Sequence, residues 1–469
     1  MAFKPLYCVF GNITIPQRYV MVFMMQLALL NAYHLRVVLN IAITEMIIPS
    51  NQTEDVDACP EYVYEAVEMM GGMFDWPSWI ESMILYAFYI GYIFSHIPGG
   101  WIADKLGARH VMGTCMLLSI IVTFLYPLAI QKGGYIAAIV LRVFLGLCQG
   151  PLLPTVSTFI QCWVPPEERA FLGGIAFGGS NMGTVTGSIF TGIIIKETNS
   201  WSTPFYIWGA LSLVWYIFYL FMVFSKPQTH PYISEKELKL VVATIEPKKE
   251  FRVPWLKISK SLPVWALLAG QFAHNYIFFT LFTNLPKYLK EILKMNVESN
   301  AAATALPFLA LWISNIVFAY ISSFLTNRNF LTIIQARKMW TAFSLIVPSI
   351  ILVLTVYVGC SRAVAITLYT VALFLVGPFF SGMKVNVNDL TTHYAGTIMA
   401  VVNGLGAIAG ILGPFIVGAL TTKHTLQEWH IVFWIMLSFS VILSIIYCIF
   451  AKADRQEWDF LDEEPIEET

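Results

Sequence analysis

The chain has 469 residues, of which 57% are hydrophobic and 12% charged, with a mean hydropathy of +0.68 and a formal net charge of -1. This composition excludes an ordinary soluble enzyme, and we expect no enzymatic activity. The near-neutral charge and the lack of a basic patch give no indication of nucleic-acid binding, so the expected partners are the lipid bilayer and a small solute.

Twelve long apolar segments predict twelve transmembrane helices, because each approaches the roughly 20 residues that a helix needs to cross the hydrocarbon core. The segments lie at 19–48, 79–100, 108–130, 134–160, 170–195, 204–225, 263–289, 300–325, 338–358, 364–388, 395–421 and 428–451. The first is long and has no small-residue cleavage site, so we expect a retained helix and not a signal peptide. We predict an all-α membrane protein with two pseudo-symmetric six-helix bundles (1–225 and 263–451), a cytoplasmic linker (226–262) and an acidic cytoplasmic tail (452–469).

Two arginines lie inside these segments, Arg36 in the first and Arg142 in the fourth. A guanidinium cannot lose its proton in a protein, and at membrane depth it costs at least ~2.5–3.5 kcal/mol. We therefore predict that both face a central cavity and bind an anion there. Helical spacing places Tyr33 and Asn40 on the face of Arg36, and Gln149 on the face of Arg142, so we include these three in the binding site.

The loop between the second and third segments contains Asp104, Lys105, Gly107 and Arg109. They fit the pattern G-x-x-x-D-[RK]-x-G-x-[RK], which resembles the loop signature of the major facilitator superfamily. The fourth segment is followed by Glu168 and Arg169.

The second half contributes His274 in the seventh segment, and Lys384 and Asn388 one turn apart in the tenth. We predict that these three complete the binding site. Two alternatives remain open: His274 could be a satisfied packing residue, and Lys384 could extend to the membrane surface or pair with Asp389.

Lysines and arginines outside the segments are concentrated on one side of the predicted membrane, which places both termini in the cytoplasm. Asn51, in the first outer loop, begins a glycosylation sequon. Cys59 and Cys360 lie on the same outer side, where a disulfide is one possibility. The seven cysteines show no metal-binding spacing, so we expect neither a metal site nor a cofactor other than co-transported sodium or protons.

Several stretches along nearly the whole chain resemble the anion/cation symporter family, which includes vesicular glutamate transporters, the lysosomal sialic acid transporter and type I sodium/phosphate cotransporters. They are RVVLNIAITEM, SHIPGGWIADKLG, HPYISEKEL, FFTLFTNLPKYLKEIL, NVNDLTTHYAG and QEWHIVF. The resemblance implies a twelve-helix fold that alternates access to a central anion site. It implies substrate binding by Arg36 and Arg142, and a cytoplasmic gate formed by Asp104, Lys105, Arg109, Glu168 and Arg169.

The chain departs from this family where substrate and coupling are concerned. Many members have a glutamate implicated in proton coupling where Gln149 stands, and an amide cannot titrate. The vesicular glutamate transporters differ at Leu85, His274, Lys384 and Ser323, which disfavours glutamate transport. We predict a monomeric secondary transporter of phosphate or organic anions, coupled to sodium. The alternatives are proton-coupled transport of an organic anion, with His274 as the proton site, or an anion-conducting or sensing pathway.

Overall fold

The computed structural model describes residues 15–48, 72–165, 168–244, 253–358, 361–391, 394–422 and 425–459, except for a few side chains within them. Its secondary structure is helical, apart from one isolated bridge between Ile47 and Phe74. The α-helices are α1 Gln17–Met46, α2 Ser78–Leu106, α3 Ala108–Gln149, α4 Leu152–Trp163, α5 Arg169–Thr198, α6 Thr203–Met222, α7 Glu235–Thr244, α8 Trp255–Ser259, α9 Leu262–Glu291, α10 Val297–Asn327, α11 Ile333–Tyr357, α12 Arg362–Val376, α13 Met383–Leu390, α14 Ala395–Gly406, α15 Ala409–Leu420 and α16 Leu426–Phe450.

Helix α3 reverses direction at Gly134, which has a φ of 60° and a ψ of -147°. Glycine adopts positive φ without the steric penalty that a Cβ brings. The reversal is visible in the packing, because the Tyr126 phenol lies beside the Arg142 guanidinium. Sixteen residues of straight helix would separate them by about 24 Å. This one helix therefore supplies both the third and the fourth predicted crossing.

The described helices account for twelve crossings, which confirms the predicted fold class. Eight helical stretches in this part of the chain are long and apolar enough to span a bilayer, and one of them, Ala108–Trp163, crosses twice. Three further long helices, α2, α5 and α9, contain 29 or 30 residues each and cross once. A 3₁₀ turn at Gly377–Phe380 joins α12 to α13 in the tenth crossing, and α14 and α15 form the eleventh.

The contacts between the two halves come mainly from four helices. Helix α5 packs along α10, and α2 packs along α15. Close approach depends on small residues, since a Cβ added to Gly418 would lie 2.5 Å from the Ser82 Cβ. The exact division at 225 and 263 stays a prediction.

The linker helix α7 docks on the start of α1. The residue before α1 is Pro16, which offers no side-chain cap for the first amides of the helix. The Glu237 carboxylate accepts hydrogen bonds from the backbone amides of Gln17 (2.9 Å) and Arg18 (3.0 Å). A negative group at a helix N-terminus satisfies free amides and complements the helix dipole.

The helix termini form two faces at opposite ends of the bundle. The end with the start of α1 and the end of α16 is called the terminal face. The end with the end of α1 and the start of α2 is called the opposite face.

Candidate functional site

Arg36 lies between the two halves in a cage of six aromatic rings. Its Cζ atom is 4.2–5.7 Å from the ring centroids of Tyr33, Phe88, Tyr89, Tyr92, Phe279 and Phe282. Ring faces attract a cation through their quadrupole, by about 0.5–2 kcal/mol for each favourable pair. Four of the rings come from α1 and α2 and two from α9, so both halves hold this side chain. Arg36 is only 5% exposed.

Arg142 lies directly beside Arg36 and is 2% exposed. Its Nη1 and Nη2 atoms donate to the backbone carbonyl of Arg36, at 3.3 and 3.4 Å. This contact lies where α2 and α3 approach each other closely. A Cβ on Gly146 would be 2.0 Å from the Phe88 carbonyl oxygen, so only glycine permits this approach.

The two arginines carry unsatisfied polar groups. Buried Nη2 of Arg36, Nε of Arg142 and the hydroxyls of Tyr89 and Tyr126 have no hydrogen-bond partner in the structure. The ion pairs between described residues involve neither arginine. Two adjacent buried cations repel each other and are costly to bury without a counter-charge. The arrangement is therefore suited to receive an anion between its donors.

The neighbours predicted for this site lie close to it. Tyr33 contributes one ring of the cage. The Gln149 amide donates to the Ala32 carbonyl at 3.0 Å, which ties α3 to α1 one turn from Arg36. The Asn40 amide donates to the Phe282 carbonyl at 3.0 Å, and so joins the two halves one turn on the other side.

The three residues predicted from the second half are not equivalent. His274 is buried, and its ring stacks on Phe379 with centroids 4.0 Å apart. Lys384 donates to the Asn403 side chain at 2.5 Å. Asn388 is exposed, so the structure does not bring it to the buried arginines.

The alternative pairing of Lys384 with Asp389 is wrong. Asp389 is paired with Arg337 at 2.7 Å, and Lys384 instead reaches Asn403 on α14. Sequence spacing did not indicate Asn403, because the two side chains come from different helices.

The predicted gate residues lie at the terminal face. Arg109 donates to the Leu220 carbonyl at 2.7 Å, and Glu168 pairs with Arg18 at 2.9 Å. Lys105 is exposed at the end of α2. The side chains of Asp104 and Arg169 lie outside the described part, as do Asn51, Cys59 and Cys360 with the glycosylation and disulfide predictions.

Ion pairs at the opposite face were missed by sequence reasoning. Lys287 on α9 pairs with Glu81 on α2 at 2.6 Å, with both side chains buried. Lys290 on α9 pairs with Glu45 on α1 at 2.9 Å, and Lys196 on α5 pairs with Glu298 on α10. Each of these three pairs joins the first half to the second at the opposite face.

Comparison with known proteins agrees with this architecture. The family model described as Major Facilitator Superfamily matches residues 72–414. The chain is 32% identical over 448 residues to the "Putative inorganic phosphate cotransporter" of Drosophila ananassae, covering 93% of each protein. It is 32% identical over 438 residues to human sialin, covering 92% of this chain and 88% of sialin.

A solved structure shares the fold at much lower identity. It is a bacterial homolog of the human lysosomal transporter Spinster, in an inward-facing, unoccupied conformation. The TM-score is 0.70 with 13% sequence identity, over 93% of this chain and 97% of that one. From the matched family model and the identity to its relatives, the chain belongs to the major facilitator superfamily and to the anion/cation symporter group within it.

Proposed function

We propose that this protein is a secondary active transporter that carries small anions across a membrane by alternating access. The observation that carries the proposal is the pair of buried guanidiniums of Arg36 and Arg142. Each has a hydrogen-bond donor without a partner, and neither forms an ion pair with a described residue. A visiting anion would offset their repulsion and satisfy those donors. A site empty of anion is then the less favourable state, which gives selectivity for negative charge.

The substrates that we propose are inorganic phosphate or organic carboxylates. Names of relatives at about 30% identity support this range, since one is a phosphate cotransporter and another is sialin. Guanidinium groups bind both chemistries, because their forked donors match the spacing of phosphate and carboxylate oxygens.

We further propose coupling to sodium. Proton coupling needs a group that titrates within the transport path, and Gln149, next to the arginines, is an amide held by the Ala32 carbonyl. A proton-coupled mechanism through His274 is the alternative.

Alternating access would require the three ion pairs of the opposite face to break when that face opens. At the terminal face, Arg18–Glu168 stays within the first half, Arg337–Asp389 within the second and Arg455–Asp459 within the tail, and Arg18 also pairs with Glu237 of the linker. Such pairs do not have to break for the halves to separate there. By the distribution of lysines and arginines we assign the terminal face to the cytoplasm, with both chain termini.

The test is uptake by the purified protein in liposomes, with phosphate, urate, glutamate and sialic acid compared under imposed sodium and proton gradients. Arg142→Ala should abolish saturable uptake while the protein still reaches the membrane. Arg328→Ala, at an exposed arginine, is the matched control and should transport normally. Unchanged uptake by Arg142→Ala would contradict the proposal. So would an anion current that rises linearly with anion concentration and does not depend on the imposed sodium or proton gradient.

A further inference from the structure

The chain enters helix α9 through a short segment that exposes large apolar side chains beside two lysines. This entry segment comprises residues 253–265, which include α8 and the first turn of α9, and it contains no acidic residue. Lys257 and Lys260 are both exposed. Four large apolar side chains of the segment are 55–70% exposed, namely Trp255, Leu256, Leu262 and Trp265. The entry segment therefore presents apolar and cationic groups together.

Two contacts hold the entry segment on the second half. Ile258 is buried in the hydrophobic cluster that the second half mainly forms. The Trp265 indole donates to the Ser259 carbonyl at 2.7 Å, so α8 folds back against the first turn of α9. The exposed side chains thus belong to a docked segment with a defined position.

The Trp265 side of α9 points away from the interior of the protein. His274 comes nine residues later and stacks on the buried ring of Phe379. Nine residues correspond to about two and a half helical turns, so the side chains of Trp265 and His274 lie on opposite sides of α9. An exposed tryptophan in the first turn of a membrane-spanning helix faces the bilayer near its surface, where tryptophans are enriched. Helix α8, which is bonded to that tryptophan, therefore lies at the level of the lipid headgroups.

The two lysines have no acidic partner in the described part of the chain. Neither Lys257 nor Lys260 takes part in the ion pairs between described residues. A surface with two cations, no acid and several apolar side chains complements an anionic lipid surface, because the apolar groups enter the acyl-chain boundary while the ammonium groups reach the phosphates. The bilayer reaches this surface without another partner, since the surface continues the outer side of α9.

We infer that the entry segment is a binding surface for anionic phospholipids, which hold the second end of the linker on the membrane. The proposed assignment of the terminal face places these lipids in the cytoplasmic leaflet, where anionic headgroups are concentrated. The first end of the linker is held by Glu237 on the start of α1. Each lysine should favour an anionic over a neutral phospholipid by about fivefold, and the two together by about 30-fold.

Fluorescence quenching of the full-length protein in nanodiscs tests this preference. Leu256→Cys, made after replacing the seven native cysteines, carries a fluorophore at an exposed position of the entry segment. Phosphatidylserine with brominated acyl chains, or phosphatidylcholine with the same chains, is added as a minor component to unlabelled phosphatidylcholine. The association constant obtained from quenching should be about 30-fold higher for phosphatidylserine, and this preference should weaken as salt is added.

Variants of the two lysines assign the preference to their charge. Lys257→Gln and Lys260→Gln should each lower the preference by about fivefold, and the double variant should remove it. Lys257→Arg with Lys260→Arg retains both charges and should keep the preference. Lys236→Gln with Lys239→Gln, at two exposed lysines of α7, is the matched control and should leave the preference unchanged.

Every other result overturns the inference. Equal quenching by the two lipids in the wild type would do so, as would a preference that survives in the Lys257→Gln, Lys260→Gln double variant. No quenching by either lipid would show that α8 lies away from the bilayer. Loss of the preference in the α7 control would assign it to the overall charge of the linker. Transport is not measured in this assay, so each of these results would leave the proposed function standing.

Discussion

The buried pair Glu81–Lys287 should control how readily the opposite face opens. Lys287→Gln removes the cation that lies 2.6 Å from Glu81 and 3.8 Å from Glu291. The two carboxylates then remain in the closed interface without it. Removing one partner of a buried pair costs about 3–5 kcal/mol, and opening relieves that cost by hydration. Since about 1.4 kcal/mol corresponds to a factor of ten, the closed-to-open equilibrium should shift toward open by roughly two to three and a half orders of magnitude.

Cysteine accessibility measures this shift. Ser82 is 1% exposed and packs against Gly418 across the two halves, so a cysteine there becomes reachable only when the face opens. We would introduce Ser82→Cys after replacing the seven native cysteines, and follow labelling by a membrane-impermeant maleimide. Labelling should be much faster in Lys287→Gln. Exchanging the charges, Glu81→Lys with Lys287→Glu, should return it toward the starting rate.

The pair Lys196–Glu298 provides the matched control, because it also joins the two halves at the opposite face but each side chain is 46% exposed. Solvent screens such a pair, so Lys196→Gln should change labelling little. If Lys287→Gln labels no faster than Lys196→Gln, the buried pair does not hold the face closed and the reasoning is refuted.

Two further predictions concern packing and the linker. Gly183→Ala places a Cβ 2.5 Å from the Leu30 carbonyl oxygen, so thermal melting should show that the free energy of unfolding falls by about 1–3 kcal/mol. Gly174→Ala is the control, because the space around Gly174 is open, and it should melt like the wild type. Burial lowers the pKa of His230 in the linker, so the docked linker favours the neutral imidazole. The stability of the docked linker should therefore fall as the pH drops below about 6.5, the ordinary pKa of histidine. Limited proteolysis of the linker should therefore quicken at lower pH, and His230→Gln should remove the dependence; cleavage independent of pH in the wild type would contradict this.

The spacing of glycines along α5 indicates that another helix packs closely against it, but not which helix. Gly179, Gly183 and Gly187 recur every four residues along α5, and the structure packs this row against α1, where a Cβ on Gly179 would lie 2.1 Å from the Gln26 carbonyl oxygen. The sequence could not identify the partner helix, because a small-residue row describes only one of the two surfaces that meet.

Charge partners were the part that sequence reasoning could not supply. Glu81 and Lys287 are 206 residues apart, and neither has a motif that connects them. Lys384 has an acid five residues along its own chain, yet its partner is Asn403 and that acid pairs with Arg337. Which charges meet depends on how helices from the two halves are arranged, and helical periodicity gives only the face on which a side chain lies.

Local physics was enough to predict a twelve-helix membrane protein in which Arg36 and Arg142 require an unusual environment. Apolar length sets the number of crossings, and a guanidinium cannot shed its charge wherever the chain folds. The packed helices were needed to show that the two arginines are neighbours beside one aromatic cage, that ion pairs join the two halves at the opposite face, and that Lys384 donates to Asn403. These are distances between helices far apart in the chain, and they are set by the packing of all the helices together.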